Sequence, residues 1–412
     1  MLRKLLALMI LLAAASSVRA DDDGFLASGI PGDTLSVSLV TFQPGTEYWQ
    51  RFGHNALLLR ESTTGVAVAY NYGLFDFRQK NFFLNFARGW MVYRVAPNYL
   101  ANDLQIYAED GRWALEQKLD LSPQQRGWLR DYLAWNVQRE HADYRYDYFV
   151  SNCSTRVRDA LDRALGGALR KQLEGRASGY DYRNEALRLI SPDRPLMIAM
   201  DVALGPSADR PIDVWQQSFG PLSLMQALRG VRIKGDDGVE HPLVAAEIRL
   251  LQGGALPDPP SLPPDLRLPF LLVGLALAGL LFAFSRQRQR RVARLAFAGV
   301  ASLFTLLCGL GGIALALLWG VTDHWAGWRN ENLLVLNPLC LLLLPVWLTS
   351  ARTRWQPGAW ALRLARLIGI GAALALVIRL VPALYQANLH WVLLLLPVHA
   401  VLALCLRDER RS

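Results

Sequence analysis

The stretch His54-Asn-Ala-Leu-Leu-Leu-Arg60, Glu61-Ser-Thr-Thr-Gly65, Val66-Ala-Val-Ala-Tyr-Asn-Tyr72 has two apolar arms around a short polar loop. The arms suit a pleated surface and the loop has the length of a β-hairpin connection. The spacing predicts two antiparallel strands with His54 at the start of the first. With Glu61 to Gly65 as the loop, His54 lies across from Asn71 or Tyr72. Upstream, Thr34-Leu-Ser-Val-Ser-Leu-Val-Thr41 alternates as another strand. Downstream, Tyr93-Arg-Val-Ala96 and Trp113-Ala-Leu-Glu-Gln-Lys-Leu119 read as two more. Ser122-Pro123 opens a helix carrying Trp128, Leu129, Tyr132 and Leu133 on one side. From Cys153 a second helix sets Val157, Leu161, Leu165 and Leu169 four apart and runs toward Gly175. Gly235-Asp-Asp-Gly238 marks a later hairpin. Together these predict an α+β domain, an antiparallel sheet with helices packed on it.

The regions on either side of this domain have a different composition. Arg3 and Lys4 precede the apolar run Leu5 to Ala15, and Val18-Arg19-Ala20 ends in a small residue. That is the pattern of a secretory signal peptide over residues 1–20, too short to span a bilayer. The exported domain is expected over 24–255. A Pro-rich linker follows over 256–267, stiff and extended. Beyond it come five apolar runs, about 268–284, 294–319, 333–349, 364–384 and 390–406, then a tail over 407–412. With the domain outside, loops destined for the cytoplasm should be rich in Arg. They carry Arg286, Arg288, Arg290 and Arg291, then Arg352, Arg354 and Arg363, then Arg407, Arg410 and Arg411. The loop from Gly320 to Asn332 has one Arg, and Tyr385 to Leu389 has none. The expected location is the inner (cytoplasmic) membrane, multi-pass, with the domain in the periplasm.

Charge follows the same division. The net charge is +9, from 44 basic and 35 acidic residues in 412. From Asp265 onward 15 basic residues face 5 acidic ones, so 29 and 30 remain before it. The basic surplus belongs to the membrane region and is no nucleic-acid footprint.

Four cysteines occur, and Cys308, Cys340 and Cys405 lie in the apolar runs. Cys153 alone lies in the exported domain, so the domain is no disulfide scaffold. Asn152-Cys153-Ser154-Thr155-Arg156 falls where a loop turns into a helix. Unpaired N–H groups there favour a thiolate, which predicts a lowered thiol pKa. A nucleophile also needs a base and an orienting group. His54 is the candidate base and Asn71 the candidate orienting residue; His141, twelve residues before Cys153, is an alternative base. A Cys at a helix start and a His on a strand are also ordinary structural residues, and both readings stand at this stage. No cluster has zinc-ligand spacing and no Gly-rich phosphate loop occurs, so no metal or cofactor is expected. Phe75 to Trp90 is rich in aromatics, as core and sheet edge or as an apolar surface against lipid.

Several runs also resemble a known family. Phe52-Gly-His-Asn-Ala-Leu-Leu-Leu59, Tyr70-Asn-Tyr-Gly-Leu-Phe-Asp-Phe77 and Tyr146-Asp-Tyr-Phe-Val-Ser-Asn-Cys-Ser-Thr-Arg156 are similar to the DUF4105 family. This is the periplasmic domain of the Lnb-type lipoprotein N-acyltransferases. Leu204 to Phe219, and Asn330 to Leu339 in the membrane region, resemble the same family. The resemblance implies a papain-like, circularly permuted fold (NlpC/P60-like or LRAT-like), in which His precedes Cys. It implies Cys153 as nucleophile and His54 as its base. It also implies transfer of an acyl chain from a phospholipid donor, through a Cys thioester, to the N-terminal amine of a lipoprotein acceptor. Asn152, beside the nucleophile, and His324, Asn330 and Asn332, in the external loop, are the expected substrate contacts. The alternatives are a periplasmic cysteine amidase or peptidase acting on cell-wall peptides, and a non-catalytic membrane-assembly protein.

Overall fold

The structure, a computed structural model, describes residues 29–235, 238–254 and 257–409. The expected signal peptide and the arginines at 410 and 411 lie outside the described residues. The chain divides into two compact units. One runs to Ile190 and takes in Pro211–Pro260; the other combines Ser191–Arg210 with everything from Ser261.

The first unit is built on a seven-stranded sheet, antiparallel at every pairing. Its strands are β1 (Leu35–Phe42), β2 (His54–Glu61), β3 (Ala67–Leu74), β4 (Val92–Tyr99), β5 (Ala114–Leu119), β6 (Asp143–Arg145) and β7 (Val244–Leu251). Their order across the sheet is β7-β5-β1-β2-β3-β4-β6. Successive side chains on a strand point to opposite faces. One face holds Val37, Leu39, Leu57, Leu59, Val68, Tyr70 and Tyr72; the other holds Val40, Phe42, Ala56, Leu58 and Ala69. Both faces are covered, which is why β1 is buried at nearly every position.

Four helices matter for the site: α1 (Phe82–Arg88), α2 (Leu100–Glu109), α3 (Pro123–Asn136) and α4 (Cys153–Ala164). Helices α3 and α4, with helix Pro221–Leu228, cover the Leu57 face through Leu129, Leu133, Val157, Leu161 and Leu224. Helix α2 covers the other face through Leu100, Leu104 and Tyr107. Ser122 caps α3, accepting from the Gln125 N–H while the Gln125 side chain accepts from the Ser122 N–H. Trp128 stays exposed and stacks on Tyr132, so only Leu129 and Leu133 of the expected apolar side are fully buried. The expected helix through Leu169 is broken: α4 ends at Ala164, and a separate short helix starts at Ala168. The intervening Gly166 and Gly167 both take positive φ, which ends one helix and re-aims the next.

Among the described residues, the second unit contains four helices long and apolar enough to cross a membrane. After α5 (Arg194–Ala203) they are α6 (Arg267–Arg286), α7 (Arg291–Val321), α9 (Ala359–Ile378) and α10 (Leu389–Glu409), with the shorter α8 (Cys340–Thr349) between α7 and α9. The third of the five apolar runs, 333–349, is therefore not a full-length helix. Its ten α-helical residues rise only about 15 Å, because Asn337-Pro338 holds off the helix start. The run nevertheless follows α7. A Cβ on Gly312 would overlap the Leu336 carbonyl, and one on Gly309 would overlap Leu341. Trp347 meets Phe297 edge-on at 6.0 Å. Arg288 and Arg294 donate to the carbonyls of Ser350 and Ala351, at 2.8 and 2.9 Å. Between Arg294 and Gly312, α7 rises about 27 Å, close to a hydrocarbon core. The segment follows that length with ten residues in the α-helix and the rest in turns.

Segment 191–210, expected within the exported domain, packs with the second unit. Asp201 accepts from His390 Nε2 and from Trp391 Nε1. Asn330 and Asn332 donate to backbone carbonyls of Val202, Ala203 and Leu204. These buried carbonyls need donors, and the polar residues of the loop supply them.

Candidate functional site

The loop before α4 is closely tied. Asp147 and Ser151 exchange backbone hydrogen bonds, and the Asp147 carboxylate accepts from the N–H groups of Phe149 and Val150. Asn152 then caps α4: its Oδ1 accepts from the Thr155 N–H at 2.9 Å, and its own N–H donates to Thr155 Oγ1 at 2.7 Å. Its Nδ2 donates to the carbonyls of Tyr148 and Phe219. Asn152 is thus buried and fully engaged, and it shapes the loop where a substrate contact was expected. Ser154 donates to the Ser218 carbonyl and accepts from Asn55 Nδ2, pinning the start of α4 to β2.

Cys153 stands at the first position of α4, partly exposed. The backbone N–H groups of Asn55, Ser154 and Cys153 lie close enough to its sulfur to favour the thiolate. Beyond the Ala56–Asn71 pair, two residues further on each strand, stand His54 and Gly73. A Cβ on Gly73 would lie 3.5 Å from Cys153 Cβ, and Gly73 has φ 91°. The thiol therefore rests on the ends of β2 and β3, where His54 enters the sheet. A charge on its sulfur is felt by Tyr107, Tyr144 and Tyr146.

His54 Nε2 and Asn71 Oδ1 are 2.9 Å apart. The roles are set by the next link. Asn71 Nδ2 donates to Asp103 Oδ2 at 2.9 Å, so Asn71 Oδ1 is the acceptor and His54 carries its proton on Nε2. That leaves Nδ1 as the proton-accepting atom. Asn98 Nδ2 donates to the other Asp103 oxygen at 2.5 Å. The chain Asp103–Asn71–His54 fixes tautomer and ring orientation together. The partner expected for His54 is observed, but as a diagonal neighbour: Asn71 pairs with Ala56 across the strands. Asp103 escaped the sequence reading. An acid in the first turn of a helix ordinarily answers the helix dipole, so nothing in the sequence marks this one.

Burial dominates the electrostatics. It pushes the Cys153 thiol up to about 11, against the backbone N–H groups, which act in the opposite direction. It holds His54 down at about 4, partly offset by the Asn71 bond and aided by the cation of Arg112. The expected lowered thiol pKa is not found, because loss of water outweighs the donors at the helix start. At neutral pH the pair rests as thiol and neutral imidazole. Alkylation of Cys153 by iodoacetamide, followed by mass spectrometry of its peptide, should accelerate with pH from 6 to 9 without a plateau. A plateau below pH 7 would mean a thiolate–imidazolium pair instead.

At Gly73 the backbone passes close to Cys153. Gly73→Val adds a side chain against Cys153 and forces a β-branched residue to positive φ. A stability loss of about 1–2 kcal/mol is expected. The expected fall in activity is at least about tenfold, since displaced reacting groups lose rate steeply. Thermal unfolding and turnover on the same preparation check both.

The remaining expected residues have other partners. His141 stacks on Trp135 with ring centres 4.2 Å apart. Asn330 and Asn332, in the second unit, are buried and bonded to backbone, Gln386 and Asn388, and so are structural anchors where substrate contacts were expected. His324, also in the second unit, is half-buried and precedes the single turn Trp325–Gly327.

Fold and site together define a class: a membrane protein with a mixed α/β domain whose one thiol meets the end of a histidine-bearing strand. Comparison with protein families is more specific. Residues 24–187 match the Lnb N-terminal periplasmic domain, and residues 265–411 match the Lnb transmembrane domain. The chain belongs to the Lnb family and is a multi-pass membrane protein with a periplasmic N-terminal domain. No curated protein and no solved structure matches it.

Proposed function

We propose that this protein is a thiol acyltransferase of the inner membrane, with a papain-like catalytic domain. Cys153 is its nucleophile, His54 its base and Asn71 the orienting residue. The observation that carries the reading is the Asp103–Asn71–His54 chain, which holds the ring through Nε2 and leaves Nδ1 to act as the acceptor, on the strand pair whose Gly73 backbone lies against Cys153. The membrane region supports a lipid-borne donor, and family membership supports the lipoprotein acceptor. The arginine-rich loops on alternate sides support the inner membrane, with the domain outside.

In the first half-reaction His54 Nδ1 takes the proton as Cys153 Sγ attacks an ester carbonyl carbon of a phospholipid. The neutral resting pair makes proton transfer and attack concerted. The N–H groups of Asn55, Ser154 and Cys153 are the nearest donors for the oxyanion. Collapse breaks the ester C–O bond, and the imidazolium returns its proton to the departing lysophospholipid oxygen. In the second half-reaction the N-terminal amine of a diacylated lipoprotein attacks the thioester. His54 takes the amine proton, the C–S bond breaks, and the proton returns to sulfur.

Proteoliposomes containing phospholipid with labelled acyl chains and a diacylated lipopeptide test this. Label should move to the lipopeptide amine, leaving lysophospholipid, and Cys153→Ser should abolish the transfer. Cleavage of cell-wall peptide without acyl transfer would favour an amidase. An unchanged cellular phenotype in both Cys153→Ser and His54→Ala would favour a non-catalytic role.

A further inference from the structure

The first unit carries an apolar surface that none of its described residues covers. It centres on α1 and the turn into β4. Phe83 is 73% exposed and Trp90 55%, and Leu84, Val92 and Trp49 are exposed beside them. The inner side of α1 is different. Phe82 is buried and packs with Phe75, Phe77, Tyr93 and Tyr146. Helix α1 therefore places one aromatic face in a core and another in the open. Exposed aromatic clusters of this kind mark interaction sites on soluble domains.

The occupant is indicated by charge and composition. Asp76 is paired with Arg78, and Asp143 with Arg94. Lys80 and Arg88 are exposed at the rim, and among the described residues no acidic group pairs with either. An aromatic and aliphatic centre with a cationic rim matches the boundary between acyl chains and anionic headgroups. Trp and Phe suit that depth, and the chain's spanning helices keep a bilayer at high effective concentration.

We propose that Phe83, Leu84 and Trp90 insert into the surface of a phospholipid bilayer containing anionic lipid, with Lys80 and Arg88 on its headgroups. The surface leads toward the site through a run of packed aromatic rings. Phe75 lies 5.0 Å from Tyr93, Tyr93 lies 4.2 Å from Tyr146, and Tyr146 senses charge on Cys153. The aromatic cluster beneath α1 thus extends toward the thiol as far as Tyr146. The docking itself does not depend on acyl-transfer chemistry.

The test uses the full chain in vesicles of phosphatidylethanolamine and phosphatidylglycerol, with p-benzoylphenylalanine in place of Phe83, Trp90 or, as a control, the exposed Glu140. The lipid carries its radiolabel on the headgroup phosphate, so acyl transfer to Cys153 cannot label the protein. Irradiation should attach phosphate label at positions 83 and 90 and not at 140. In that background Lys80→Glu with Arg88→Glu should lower the adduct yield at least about threefold. An adduct to another part of the same chain, or to a second copy, would overturn the proposal by naming a different occupant. Equal labelling at all three positions, or none at 83 and 90, would overturn it as well. An adduct yield unchanged by the double charge reversal would overturn the assignment of the rim to anionic headgroups.

Discussion

His54→Ala is expected to lower acyl transfer by about 10²–10⁴-fold while leaving the fold intact, the range for loss of a general base. The ring lies at the sheet end and stacks loosely on Phe42, with centres 6.0 Å apart, so its removal empties little core. The pH profile separates a chemical role from a structural one. With His54 held near 4, wild-type turnover should stay level down to about pH 5 and fall as the imidazole protonates below that. An ordinary exposed histidine would bring the fall near pH 6.5. Asn71→Ala removes the partner that bonds the Nε2–H and should cost less, with the acid limb moved, because ring orientation loosens while the base remains. A His54→Ala variant within about twofold of wild type would remove His54 from the mechanism.

The second large effect is expected on stability and lies in the membrane unit. Asp201 is almost wholly buried and accepts from both His390 Nε2 and Trp391 Nε1. Asp201→Ala would leave two half-buried donors without their acceptor, a loss of about 1–3 kcal/mol. Thermal unfolding in detergent should show a midpoint lower by about 5 °C or more. An unchanged midpoint would mean that water or lipid replaces the carboxylate, and that the attachment of segment 191–210 rests on Asn330 and Asn332.

The legibility of this chain in its sequence follows the physics of each signal. The membrane region reads plainly, because hydropathy and arginine placement are properties of local composition. Even there the run through Asn337-Pro338 looks like a fifth full-length helix, and only the structure shows that its α-helix begins at Cys340. The β2–β3 hairpin reads well, since its loop and its alternation are local. The bond from His54 to Asn71 was legible as a pairing but not as a diagonal one, because side-chain reach is not written in register. Asp103 was not legible: its role depends on which strand α2 covers. Asn152, Asn330 and Asn332 looked like contact residues because an asparagine facing water and one capping buried backbone have the same sequence signature. The neutral state of the Cys153–His54 pair was hidden for a related reason. A helix start can be read from the chain, whereas burial is known only once the sheet is assembled.

The central claim is that Cys153 carries the acyl chain. The purified protein is incubated with phospholipid labelled in its acyl chains, without acceptor, and the Cys153 peptide is then isolated. Label on that peptide, released by neutral hydroxylamine and absent from Cys153→Ser, is the expected result. Acyl transfer to a lipopeptide that persists in Cys153→Ser, or transfer with no labelled thioester at any time point, would contradict it.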